Sequence, residues 1–210
     1  MLELFLSAFI TLFVVIDPPG CAPIYAGLTH GANAAQRRSM AIRATVIAGI
    51  ILVVFALFGE DLLGALHIEL DSFRIAGGLM LFLIALDMVF EKRTQRREQR
   101  AEKVTAEHVE GTEIEDVSVF PMAMPMLAGP GAIASVMLLM GGAEGIEGSL
   151  AVLAALLAVM VLTLLALWAA SPLMKLVGAR VEAVITRLLG VLLAALAAQY
   201  VFDGIRGTFF

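Results

Sequence analysis

Charge is what this chain has least of. Asp, Glu, Lys and Arg make up 16% of its 210 residues, against about 25% in an ordinary soluble domain. Cysteine is nearly absent. The single Cys21 excludes a disulfide framework and a cysteine-based metal site. The three histidines, His30, His67 and His108, lie far apart without ligand spacing, so no metal centre is expected. There is no Gly-x-x-x-x-Gly-Lys-Ser/Thr loop, no His-Glu-x-x-His helix and no nucleophile elbow. An ATP-driven machine and an intramembrane enzyme are therefore not expected, and neither is a cofactor. Met1-Leu2-Glu3-Leu4 brings no basic segment, and no small-residue cleavage site follows. The first apolar stretch thus reads as a retained span and not as a removed signal peptide.

What the chain has instead is apolar surface. Hydrophobic residues make up 60% of it, and the mean hydropathy is +0.95. A soluble domain cannot hide that much and still wet its exterior. A cytosolic globular enzyme, a disordered chain and a nucleic-acid binder are excluded. The composition predicts an all-α polytopic membrane protein whose first partner is the lipid bilayer. Six apolar stretches stand out, at 2–28, 42–66, 73–90, 118–140, 150–174 and 184–205. Each approaches the ~20 residues that one crossing takes. All read as helices, because a backbone in lipid must satisfy its own hydrogen bonds. The period-two alternation of a membrane barrel is missing.

The basic residues set an expected orientation. Arg37, Arg38 and Arg43 flank the first loop. Lys92, Arg93, Arg96, Arg97, Arg100 and Lys103 occupy the third. Lys175, Arg180 and Arg187 belong to the fifth. Only Arg74 and Arg206 fall on the other side. Cytoplasmic loops carry the excess of Lys and Arg, so both termini are expected outside, in the periplasm. Residues 91–117 begin basic and end acidic, at Glu107, Glu110, Glu113, Glu115 and Asp116. They read as a solvated linker, with a regulatory or partner-binding segment as the alternative.

The second half echoes the first. Arg74 and Gly77 open the third span as Arg187 and Gly190 open the sixth, and Pro18 in the first span answers Pro130 in the fourth. Three spans is an odd number, so the second half must lie upside down relative to the first. Residues 1–90 and 118–210 then form two inverted three-helix repeats, an arrangement common in secondary transporters.

Both repeats open on a broken helix. Asp17-Pro18-Pro19-Gly20 interrupts the first span and Gly129-Pro130-Gly131 the fourth. Proline inside a helix costs ~3 kcal/mol or more. At helical rise Asp17 lies roughly 20 Å and Pro130 roughly 18 Å into its span. The two breaks are expected to meet near one level from opposite sides. Asp17 reads as an N-cap with Pro18 at the first helical position, and Gly129-Pro130 as a weaker version. Two half-helix N-termini would then face the centre with free N–H groups and positive dipole ends, which suits an anionic group. Asp17 adds a carboxylate for a proton, a cation or an amine. The plainer reading makes Asp17 a cap and Gly129, Pro130 and Gly131 a packing kink. A carboxylate in hydrocarbon costs at least about 2.5 kcal/mol, more than a Ser or Asn cap would.

Accessory candidates are Arg74, Glu60 and Gln199. Arg74 is expected to pair with Glu60 or Asp61, or to attract an anion. Glu60 and Asp61 have the plainer option of reaching the interface. Gln199 is expected to make an interhelical hydrogen bond. Gly190, Ala194 and Ala198 form a small-residue stripe that predicts close helix packing.

Four motifs in order resemble the MarC family of bacterial inner-membrane proteins. They are Ile16-Asp17-Pro18-Pro19-Gly20-Cys21-Ala22-Pro23, Phe73-Arg74-Ile75-Ala76-Gly77-Gly78-Leu79, Phe120 to Ile133, and Arg187-Leu188-Leu189-Gly190. The resemblance spans essentially the whole chain. It implies a six-span fold of two inverted repeats, near the LysE-like group of amino-acid and metabolite exporters, in the inner membrane. The expected function is secondary transport or export of a small solute, a neutral amino acid such as glycine or alanine, coupled to H⁺ or Na⁺. The alternative is a non-transporting assembly or regulatory factor of the membrane. Oligomeric state is not legible.

Overall fold

A computed structural model describes residues 1–90 and 116–209, with side chains 171–183 outside the description. The charged linker expected at 91–117 therefore lies almost wholly outside the described residues. The described residues form helices and no strand. In chain order these are α1 (Leu2–Ile16), α2 (Pro18–Leu28), α3 (Ala34–Ala65), α4 (Leu70–Val89), α5 (Ser118–Leu127), α6 (Pro130–Gly141), α7 (Gly145–Trp168) and α8 (Ala170–Phe209). Five segments are long and apolar enough to cross a membrane: Leu2–Leu28, Ala34–Ala65, Leu70–Val89, Gly145–Trp168 and Val184–Phe209. The pair α5 and α6, bent by 53°, makes a sixth if it counts as one span.

Two boundaries differ from the sequence reading. Helix α3 starts well before residue 42, because Asn33 and Gln36 form a reciprocal capping box. The Gln36 N–H donates to Asn33 Oδ1 and the Asn33 N–H to Gln36 Oε1, both at 2.9 Å. The fifth span ends at Trp168 rather than near 174, and α8 follows after Ala169 alone. Pro172 falls in the first turn of α8, where a missing N–H costs nothing.

Packing inverts the rule of a soluble helix. On α3 the large residues Ile42, Val46, Ile50, Val53 and Leu57 are exposed, while Ala41, Ala44, Ala48 and Ala56 are buried. Lipid is as apolar as leucine, so helices gain by close contact through small residues and leave bulky ones to the bilayer. The same logic joins α4 to α8. A Cβ at Gly78 would lie 2.8 Å from the Ala197 carbonyl oxygen, one at Gly190 3.1 Å from that of Ala85, and one at Gly204 2.7 Å from that of Asp71. These three pairs run in opposite directions along the two chains, so α4 and α8 are antiparallel and touch backbone to backbone. Elsewhere α1 and α2 pack on α7, α5 and α6 pack on α3, α2 packs on α8, and α6 packs on α4.

One ion pair ties the start of the second half to the first. Arg43 Nη1 lies 2.6 Å from Asp116 Oδ2, with both side chains about half exposed. Burial opposes ionisation of Asp116, but the hydrogen bond from the Ser118 N–H and the Arg43 charge outweigh it and hold the carboxyl below the usual carboxylate range. The pair is therefore complete at neutral pH and is lost only as acid protonates Asp116.

The glycine contacts are open to test by thermal unfolding in detergent. Gly78→Ala, which drives a methyl into the backbone of α8, should cost about 1–3 kcal/mol. Gly27→Ala, where a methyl meets nothing within 4 Å, should leave the midpoint unchanged or raise it.

Candidate functional site

Asp17 ends one helix and begins the next. It adopts the left-handed conformation, φ 59° and ψ 64°, which Asp tolerates better than most residues. Its N–H still reaches Phe13 O at 2.9 Å, and its carbonyl accepts from the Cys21 N–H at 3.0 Å. The carboxylate Oδ1 accepts from the Gly20 N–H at 3.1 Å. Asp17 is 2% exposed. The expected arrangement of cap and proline is thus present, with Pro18 buried at the first helical position and Pro19 half-buried after it. Gly20 is required by the cap: a Cβ there would sit 2.3 Å from Asp17 Oδ2.

The second break is built differently. Phe120 and Met124, each before a proline, take extended backbone (φ −128° and −129°) inside α5. A residue before proline is driven out of the helical region by the ring. The turns between are held by wide bonds, Met122 N–H to Val117 O at 3.2 Å and Ala128 N–H to Ala123 O at 2.9 Å. Gly129 is extended, φ −75° and ψ 169°, and α6 starts at Pro130 with no side-chain cap. A Cβ on Gly129 would lie 2.5 Å from the Pro125 carbonyl oxygen, so only glycine fits. Pro130 is exposed and Gly131 buried.

The two breaks approach each other through Gly131. A Cβ there would lie 3.5 Å from Val15 Cγ1, two residues before Asp17, and 2.3 Å from Ile84 Cδ1 of α4. The N-terminus of α6 therefore rests on the last turn of α1, with Ile84 wedged beside it. Ile84 has no signal in the sequence that separates it from other aliphatic residues of its span.

The accessory candidates lie elsewhere. Arg74 pairs with Asp71 on its own helix, Nη1 to Oδ1 at 2.6 Å. This corrects the expected partners Glu60 and Asp61, both of which are exposed on α3. A partner three residues away on the same helix is reached without bridging to another one. Gln199 is exposed and donates to Asp203 Oδ1 at 2.8 Å, one turn on along α8, rather than across to another helix. Four buried hydroxyls, of Thr45, Ser118, Ser135 and Thr186, escaped the sequence reading. Ser135 on α6 is wholly buried and Thr45 on α3 nearly so, and neither hydroxyl has a hydrogen-bond partner among the described residues. A serine inside the otherwise apolar half-helix Pro130–Gly141 was the available signal. No group of three His, Cys, Asp or Glu side chains able to hold a metal occurs among the described residues.

Apolar helices of membrane length, small residues between them and bulky ones outward define a polytopic integral membrane protein. The chain belongs to the MarC family, described as MarC family integral membrane protein, which it matches over residues 2–209. It is 36% identical over 207 residues to a UPF0056 membrane protein of Methanocaldococcus jannaschii, covering 98% of both chains. It is 35% identical over 209 residues to the UPF0056 membrane protein YvbG of Bacillus subtilis, covering 100% of this chain and 97% of that one. With the UPF0056 membrane protein YhcE of Escherichia coli the identity is 31% over 205 residues, 96% of this chain and 91% of that one. No solved structure matches the chain.

Substitution at the two glycines separates a required geometry from a convenient one. Gly20→Ala should displace the Asp17 carboxylate, and Gly129→Ala should collide with the Pro125 carbonyl. Each is expected to cost about 1–3 kcal/mol in a detergent melt. Gly64→Ala, which meets nothing within 4 Å, should be neutral.

Proposed function

We propose that this protein is a secondary transporter or exporter of a small solute, with a neutral amino acid such as glycine or alanine as cargo. The observation that carries the reading is a buried carboxylate, Asp17, two residues beyond Val15, against which the N-terminus of a second half-helix, α6, packs without a side-chain cap. A neutral amino acid presents an ammonium and a carboxylate. The ammonium suits Asp17. The carboxylate suits the positive end and free N–H groups of α6. Broken helices whose N-termini receive an anionic substrate group recur in transporters. In the absence of cargo Asp17 takes the coupling ion, H⁺ or Na⁺. Alternating access then follows by rocking of two inverted repeats. The pattern of packing supports that repeat: α1 and α2 on α7 answer α5 and α6 on α3, and α2 on α8 answers α6 on α4.

Uptake of radiolabelled glycine and alanine into proteoliposomes tests the reading. The wild type should accumulate one of them under an H⁺ or Na⁺ gradient. Asp17→Asn keeps cap and volume but removes the titrating charge. It should fold normally and lose concentrative uptake by at least ~10-fold, with exchange preserved. Full accumulation by the Asn variant would reduce Asp17 to a cap. No transport of either solute by a folded wild type would leave the assembly or regulatory role in its place.

The excess of basic residues around the first loop supports a cytoplasmic first loop and periplasmic termini. In a Cys21→Ala background, an impermeant thiol reagent added outside should label Glu144→Cys and spare Ser39→Cys. Both positions are exposed. The opposite pattern would invert the topology.

A further inference from the structure

At one end of the bundle α2 and α7 stop and α3 and α8 begin, and a cleft of about 200 Å³ opens between them. We infer that this cleft binds the phosphate of an anionic phospholipid headgroup. Its polar lining is Tyr25, Thr29, Arg37, Arg38 and Trp168, and its apolar lining includes Leu167. Arg37 and Arg38 are neighbours on α3, just past the capped N-terminus, so two basic residues and a positive helix end line one small space. No acidic residue is among the described residues of the lining. Guanidinium forks match the oxygens of a phosphate.

The backbone that carries these arginines is held before any ligand arrives. The Tyr25 hydroxyl, from a side chain 1% exposed, donates to the Arg37 carbonyl. The Thr29 hydroxyl donates to the Tyr25 carbonyl at 2.7 Å. The Asn33–Gln36 box fixes the start of α3. The location argues for lipid over a soluble anion. Two span-length segments, Leu2–Leu28 and Gly145–Trp168, end here, which is where headgroups lie. Trp168 is 46% exposed at that level, as expected of an amphipathic ring in the interface. Basic pockets between spans at such a level suit anionic headgroups, and the apolar wall would take the glycerol and upper acyl chain.

Trp168 is the single tryptophan of the chain, so its fluorescence reports on this cleft alone. Delipidated full-length protein in detergent would be titrated with short-chain phosphatidylglycerol, with phosphatidylcholine, and with glycerol 3-phosphate. Phosphatidylglycerol should shift the emission saturably, at least ~10-fold more tightly than phosphatidylcholine. Arg38→Gln, at an exposed position where folding is not at risk, should weaken it about 5-fold, and Arg37→Gln with Arg38→Gln about 30-fold. Arg43→Gln, which removes the same charge from the Asp116 pair outside the cleft, should bind as the wild type does. Equal binding of the two lipids, no effect of Arg38→Gln, or an equal loss in Arg43→Gln would overturn the site. Saturation by glycerol 3-phosphate at the same concentration as phosphatidylglycerol would assign the cleft to a soluble anion instead and overturn the lipid.

Discussion

A backbone N–H or C=O left unpaired in hydrocarbon costs several kcal/mol, and this chain places prolines inside two of its spans. The rest of the structure depends on how that conflict is resolved. At the first break the ladder is scarcely interrupted. Asp17 gives its N–H backward to Phe13 and its carbonyl forward to Cys21, and its carboxylate takes the Gly20 N–H. Pro18 stands where no N–H is needed. At the second break the chain bends. Extended residues before Pro121 and Pro125 alternate with wide turns, and Pro130 restarts a helix whose first N–H groups have no side-chain cap. The two solutions are unequal. One break is closed by its own carboxylate, and the other has no side-chain cap.

Close approach is the second theme, and glycine serves it in two ways. Gly78, Gly190 and Gly204 let α4 and α8 touch along their length, which replaces the missing hydrophobic drive between helices in lipid with dense contact. Gly20 and Gly129 instead make room for oxygen atoms of the breaks themselves. The first kind holds the bundle together, and the second shapes its centre. Gly131 belongs to both, since it seats the second break against α1 and Ile84.

Much of this was legible because it is local. Asp-Pro and Gly-Pro inside apolar runs announce a cap followed by a first helical turn, and both appear where those pairs stand. Asn33-x-x-Gln36 was equally readable as a helix start, yet the hydropathy of residues 42–66 drew the boundary past it. The polar partners were harder. Arg74 and Gln199 turn to Asp71 and Asp203 one turn away on their own helices, because a local partner is reached before an interhelical one. Nothing in the sequence pairs Arg43 with Asp116 or brings Ile84 to Gly131. Those contacts join residues far apart in the chain, and only the packed bundle sets them. The same holds for the cleft, whose arginines and tryptophan come from opposite halves.

The left-handed turn at Asp17 narrows what evolution can write there. That conformation is comfortable for glycine, asparagine and aspartate and for little else. A side chain that must also accept the Gly20 N–H removes glycine from the set. Glutamate keeps the charge but is not at ease in that conformation, and its side chain is too long for so local a cap. Asparagine and aspartate remain, nearly identical in shape, and of the two asparagine is far cheaper to bury. Shape therefore selects this pair of side chains without deciding between them. Any change tolerated at this position is thereby confined to two side chains that differ in charge and hardly at all in form.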